Sequence, residues 1–157
     1  MRATVRLYVR PAALALLALV AGGTGEARAQ NCTGGTLLSP SEVAALLTDR
    51  YACGGAGGQT WNELHSAGNI IDYKLGPNDP KDPSTTVGGY TIASTTVGDT
   101  PVGRVTYNYN NGGGSFAYQI RSAGSPATTT PGTYSFCGVA GAANFSITVS
   151  TAPCSAP

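Results

Sequence analysis

From Ile71 onward the chain alternates. Ile71, Tyr73 and Leu75 are separated by Asp72 and Lys74, and Tyr90 and Ile92 by Thr91. Val105, Tyr107 and Tyr109 alternate with Thr106 and Asn108, and Phe116, Tyr118 and Ile120 with Ala117 and Gln119. Tyr134 and Phe136 flank Ser135, and Phe145, Ile147 and Val149 are spaced by Ser146 and Thr148. A period of two places the apolar side chains on one face of a strand. The pattern predicts strands at about 69–75, 88–94, 103–109, 115–121, 132–137 and 144–150. Asn110 to Gly114 (NNGGG) joins two of them, and Asn and Gly accept the positive φ of a tight hairpin. One-sided alternation indicates an antiparallel sheet.

The period differs earlier in the chain. Ser39-Pro40-Ser41-Glu42 reads as a capping box with Pro at the first helical position. Val43, Leu46, Leu47 and Tyr51 follow at helical spacing, which predicts one amphipathic helix over 40–51. Gly54 to Gly58 (GGAGG) then reads as a flexible connection, and Trp61 to Ser66 as one further helical turn. One helix cannot divide six strands into βαβ units. The expected fold is mainly β: an antiparallel meander of about six strands forming a curled sheet or small barrel, with the helix on one face or plugging one end. Residues 123–131 read as a loop and 151–157 as a tail.

The N-terminus changes the picture of charge and compartment. Arg2, Arg6 and Arg10 precede the apolar run Pro11 to Val20, which is too short for the roughly 20 residues of a membrane span. Ala27-Arg28-Ala29 supplies a small-x-small cleavage site, so residues 1–29 read as a signal peptide and 30–157 as a single domain, secreted or periplasmic. Loss of four arginines and one glutamate takes the formal charge from +1 to −2. The remaining cations, Arg50, Lys74, Lys81, Arg104 and Arg121, are too scattered for a nucleic-acid footprint. No later segment is apolar enough to hold the chain in a membrane. All four cysteines fall after the signal and imply two disulfides. Of the three possible pairings, Cys53–Cys137 with Cys32–Cys154 is favoured by its long loops, while Cys32–Cys53 with Cys137–Cys154 differs too little in loop entropy to be set aside.

Three groups of residues suggest chemistry. Glu63 and His65, beside Trp61, read either as a proton-transfer pair or metal ligands, or as rim residues making structural hydrogen bonds. No G-x-S-x-G or H-E-x-x-H accompanies them. The stretch from Asp72 to Ser84 holds Lys74, Asn78, Asp79 and Asp82 among three prolines. Its oxygens, chiefly those of Asn78, Asp79 and Asp82, read as a weak calcium site or as ordinary turn chemistry. Beyond calcium, no cofactor is expected. The aromatic set Tyr90, Tyr107, Tyr109, Phe116, Tyr118, Tyr134 and Phe136 shares the apolar parity of its strands, which predicts core rather than a sugar-stacking surface.

Trp61…Glu63…His65, Asp72-Tyr73-Lys74-x-Gly76-Pro77-x-Asp79-Pro80-x-Asp82-Pro83-Ser84, Val87-Gly88-x-Tyr90, Val105-Thr106-Tyr107-x-Tyr109 and Tyr134-Ser135-Phe136-Cys137 together resemble a pattern of small exported proteobacterial proteins of unassigned function. The resemblance implies a bacterial, extracytoplasmic protein and carries no activity. Gly88-Gly89-Tyr90 at the start of a meander also resembles the lipocalin and avidin type of small ligand-binding barrel, although six strands fall short of their eight. The expected function is a non-catalytic exported module. It either binds a glycan or small ligand, with Trp61, Asp72, Lys74, Asp79 and Asp82 as binding candidates, or pairs with itself into a filament. A hydrolase using Glu63 and His65 with the aspartate-proline loop, and a calcium-stabilised structural module, are the alternatives.

Overall fold

The structure, a computed structural model, describes residues 32–56, 59–72, 85–124 and 127–154. The signal segment, residues 73–75 of the first predicted strand and the aspartate-proline loop lie outside these residues. The chain order is β1 (Thr36–Leu37), α1 (Pro40–Leu47), β2 (Arg50–Ala56), β3 (Gln59–Ser66), β4 (Asn69–Asp72), β5 (Thr85–Val97), β6 (Thr100–Tyr109), β7 (Gly114–Ser122), β8 (Gly132–Val139) and β9 (Phe145–Ser150). From β2 to β9 each strand pairs antiparallel with its chain neighbour, and β9 returns to pair with β2 through Tyr51↔Ser150, Ala52↔Val149 and Cys53↔Thr148. Eight strands therefore close into an up-and-down barrel, with β1 laid beside the end of β7.

The capping box starts the helix as the sequence predicts. Ser39 N–H donates to Glu42 Oε2 at 2.7 Å, and Glu42 N–H to Ser39 Oγ at 3.4 Å. These bonds hold the Glu42 carboxyl below its usual range. The helix stops at Leu47, not at residue 51. Asp49 takes a left-handed φ of 53° and its N–H donates to the His65 carbonyl at 2.8 Å, which turns the chain into β2. Tyr51, spaced for the helix, sits instead on a strand. Gly54 to Ala56 of the glycine-rich connection and the predicted helical turn are likewise strand, in β2 and β3, in register from Arg50↔His65 to Ala56↔Gln59, while residues 57–58 lie outside the described residues. Glycines carry no side chain to alternate, and β3 carries polar residues on its inner face, so neither strand shows the apolar period of two.

The core lies inside the barrel and under the helix. Val105, Tyr107, Tyr118, Ile120, Tyr134, Phe136, Ile147 and Val149 meet Leu38, Val43, Leu46 and Leu47. Most of the aromatic set is thus core, whereas Phe116 remains 39 % exposed. The helix packs against β6, β5 and β2 and closes the end of the barrel where β2 begins. Its close approach to β6 depends on Gly103, where an added Cβ would lie 2.6 Å from Val43 Cγ2 and 2.9 Å from the Ser39 carbonyl oxygen. β2, β4, β6 and β8 finish at the opposite, loop-bearing end, where the described connections are those after β6 and β8.

The disulfides are Cys32–Cys137 and Cys53–Cys154, with Cα separations of 5.5 and 6.2 Å, which corrects the expected pairing. Cys53 on β2 and Cys137 on β8 are separated by β9. Two inter-strand spacings amount to about 9–10 Å, beyond the roughly 7 Å that a disulfide can bridge. The tail beyond β9 instead folds back over β2 and β3, where Asn62 Nδ2 of β3 donates to the Cys154 carbonyl at 3.1 Å. The segment before β1 is held by Arg121, whose Nη1 donates to the carbonyls of Gly34 and Gly35 at 3.1 and 3.3 Å. Two disulfides suit an oxidising compartment, and among the described residues no helix is long and apolar enough to cross a membrane.

Gly103→Ala tests the seat of the helix. It is expected to destabilise the protein by about 1–3 kcal/mol, the usual cost of overpacking, read as a lowered denaturation midpoint. An unchanged midpoint would show that the helix moves freely on β6.

Candidate functional site

The inner face of β3 carries charge where a barrel interior usually carries aliphatic side chains. Ala52 of β2 faces the core, its ladder partner is Glu63, and the next inward residue on β3 is His65. On the other side of β3, Glu63 lies directly opposite Asp72 of β4, and His65 opposite Ile70. Directly paired residues bring their Cβ atoms to about 4.5–5.5 Å, so two carboxylates share one patch of the wall. Glu63 is 9 %, Asp72 8 % and His65 0 % exposed. Glu63 and His65 are therefore interior residues, not the rim residues of the structural expectation.

Phenols from β6 and β7 complete the cluster. Tyr109 Oη donates to Glu63 Oε2 at 2.9 Å. His65 Nδ1 lies 3.2 Å from the Glu63 carbonyl oxygen and Nε2 lies 3.0 Å from Tyr107 Oη. A carbonyl only accepts, so Nδ1 carries the proton and the bare Nε2 accepts from the Tyr107 hydroxyl. This is a neutral imidazole. Burial pushes its pKa down to about 4, against smaller upward contributions from backbone bonds to Glu63 and Arg50. The ring is held edge-on between Tyr90 and Tyr107, with centroids 4.9 and 5.4 Å away. Burial, followed by the negative charge of Glu63, raises the Tyr107, Tyr109 and Tyr118 hydroxyls above their ordinary value. All three remain protonated donors at neutral pH.

The structure thus gathers Glu63, His65 and Asp72 and adds Tyr107, Tyr109 and Tyr118, which the sequence reading placed simply in the core. The only available signal was that Tyr107-x-Tyr109 and Glu63-x-His65 are both spaced to share a strand face. Trp61 lies on β3 opposite Gly54. Lys74, Asn78, Asp79 and Asp82 lie outside the described residues. Among the described residues no group of three or more His, Cys, Asp and Glu side chains is arranged to hold a metal ion.

Chemically the patch is an acceptor surface framed by hydroxyl donors and aromatic faces. Both imidazole nitrogens are engaged, and the bond between His65 and Glu63 runs to the Glu63 backbone, not its carboxylate. The cysteines are all bridged. No family model, curated protein or solved structure matches the chain.

Two predictions follow from the cluster's own bonds. The folded-state pKa of His65 is about 4, below its ordinary 6.5, so between these values the unfolded chain binds more protons and stability falls as the pH is lowered. The loss is about 3 kcal/mol in total across pH 6.5 to 4. His65→Gln is expected to flatten that part of the stability–pH curve, and equal slopes in parent and variant would exclude His65 as its source. Tyr109→Phe removes a donor from a charged acceptor and is expected to cost about 1.5–3 kcal/mol in urea unfolding. The cost should shrink when Glu63→Gln is already present, as a double-mutant cycle reads directly.

Proposed function

We propose that the protein is an exported, non-catalytic binding module whose barrel takes a small polar ligand at its loop-bearing end. The ligand carries amine or hydroxyl donors. The observation that carries this reading is the pair of inward-facing carboxylates, Glu63 and Asp72, on adjacent strands of a closed barrel with a Tyr109 hydroxyl on one of them. Buried carboxylates cost several kcal/mol unless matched. A barrel meant only to be filled would use aliphatic side chains at these positions, as this one does at the helix end. An eight-stranded barrel is just wide enough for side chains to fill or for one small ligand. Perturbed groups gathered in such an interior favour a functional site.

Two disulfides and the signal-like N-terminus support export. Proton transfer by Glu63 and His65 lacks support, because His65 is fully buried, neutral and bonded at both nitrogens. The phenols favour an amine further, since a cation gains on aromatic faces.

The test is a thermal-shift titration of the mature protein with tyramine, glucose, sodium decanoate and calcium chloride. Tyramine or glucose is expected to raise the melting temperature saturably, with about 2.7 kcal/mol of stabilisation at one hundred times the dissociation constant. The shift should vanish in a folded Glu63→Gln/Asp72→Asn variant. A shift with decanoate alone would make the interior an apolar pocket and overturn the reading. A shift with calcium alone, reversed by EDTA, would replace it with the calcium-stabilised module.

A further inference from the structure

The barrel is closed, yet β5 runs well past its neighbour β4. β5 pairs with β6 along Gly88↔Tyr109 to Val97↔Thr100, a ladder that ends in the two-residue turn Gly98-Asp99. On its other edge β4 covers β5 only from Thr85 to Gly89, and the last bond there is Tyr90 N–H to the Gly68 carbonyl at 2.8 Å. Beyond it, no described strand pairs with the outer edge of Thr91–Val97. Backbone groups alternate along an antiparallel strand. Because Tyr90 points to the β4 side, the N–H and C=O groups of Ile92, Ser94 and Thr96 face outward on that edge.

Edge strands are normally protected by charge, proline, a bulge or a covering element. Thr91-Ile92-Ala93-Ser94-Thr95-Thr96-Val97 holds no charge and no proline. Thr91, Ala93, Ser94, Thr96 and Val97 are exposed, and Val97 at 44 % is one of two exposed large apolar residues among the described residues. The helix packs on β5 as well as β6, yet Ser94, the ladder partner of Gly103, stays exposed.

We propose that this edge is a homodimer interface in which β5 pairs antiparallel with β5 of a second copy about a twofold axis at Ser94. The occupant is a second copy because the edge is complementary to itself. With the axis at Ser94, Ile92 falls opposite Thr96 of the other copy and Ser94 opposite its equivalent. All the outward-facing backbone groups then meet outward-facing groups. Like charges directly opposite, the usual obstacle to self-pairing, are absent. A twofold edge contact uses the same patch on both copies and closes at two, so it yields a dimer and not a filament.

The test is light scattering on the mature protein across a concentration series, with Ser94→Lys, Ser94→Cys, and Ser146→Lys and Ser146→Cys on exposed β9 as controls. Expected is a concentration-dependent species of twice the monomer mass. It should be lost in Ser94→Lys, where two like charges face each other at the axis, and kept in Ser146→Lys. Paired Ser94 positions lie about 5.5 Å apart, within disulfide reach. Ser94→Cys should therefore oxidise to a covalent dimer with no reductant present, and Ser146→Cys should not. A monomer at every concentration, a dimer indifferent to Ser94→Lys, or open-ended polymers would each overturn the assignment.

Discussion

The three residue pairs between β2 and β9 hold the architecture together. Without them the meander is an open sheet with two long edges, and its inner face has no inside. With them, Ala52 and Val149 face one another across the seam, and Glu63 and His65, one strand further on, are committed to the interior. The Cys53–Cys154 bridge lies on the outer side of this seam and ties the tail over it. A bridge between residues 101 apart in sequence restricts the unfolded chain by roughly 4–5 kcal/mol in the loop-entropy view. It does so at the strands that join last to first.

Closure divides the interior into two chemistries. At the helix end, Leu38, Val43, Leu46 and Leu47 fill the space with aliphatic volume, and Gly103 lets the helix sink onto the wall. Toward the loop end, phenols and carboxylates replace aliphatics. The low dielectric that strengthens the bonds there also penalises any group left unmatched. His65 is the boundary: its ring packs between tyrosines like a core residue while both its nitrogens are used. The same closure decides what remains open. It leaves edges bare where hairpins run past their neighbours, as β5 does past β4 and as β2 and β3 do past β9 and β4, so the association surface follows from how far the β5–β6 hairpin extends.

The strands after Asn69 were legible because each buries one apolar face, and the helix start because Ser39 and Glu42 cap each other locally. Their ends were less legible. β5 continues to Val97 through threonines and serines that show no apolar period, and the helix yields to a strand at Asp49 because the His65 carbonyl, distant in sequence, accepts its N–H. β2 and β3 were hidden for opposite reasons. Gly54 and Gly55 have no side chains to pattern, and on β3 the inward Glu63 and His65 are polar while Asn62 and Ser66 on the other face are polar too, so no apolar period of two appears.

By itself the sequence determined the class of fold, the faces of most strands, the cysteine inventory and the presence of Glu63 and His65 as unusual residues. These rest on neighbours within a few positions, where the period of two, a helix cap or a tight turn is written locally. Only the tertiary structure decided that the sheet closes, which cysteines meet, that Asp72, Tyr107 and Tyr109 join Glu63 and His65, and which edge stays bare. Each of those depends on which strands lie side by side, and inter-strand order is a property of the closed ladder, not of any one segment.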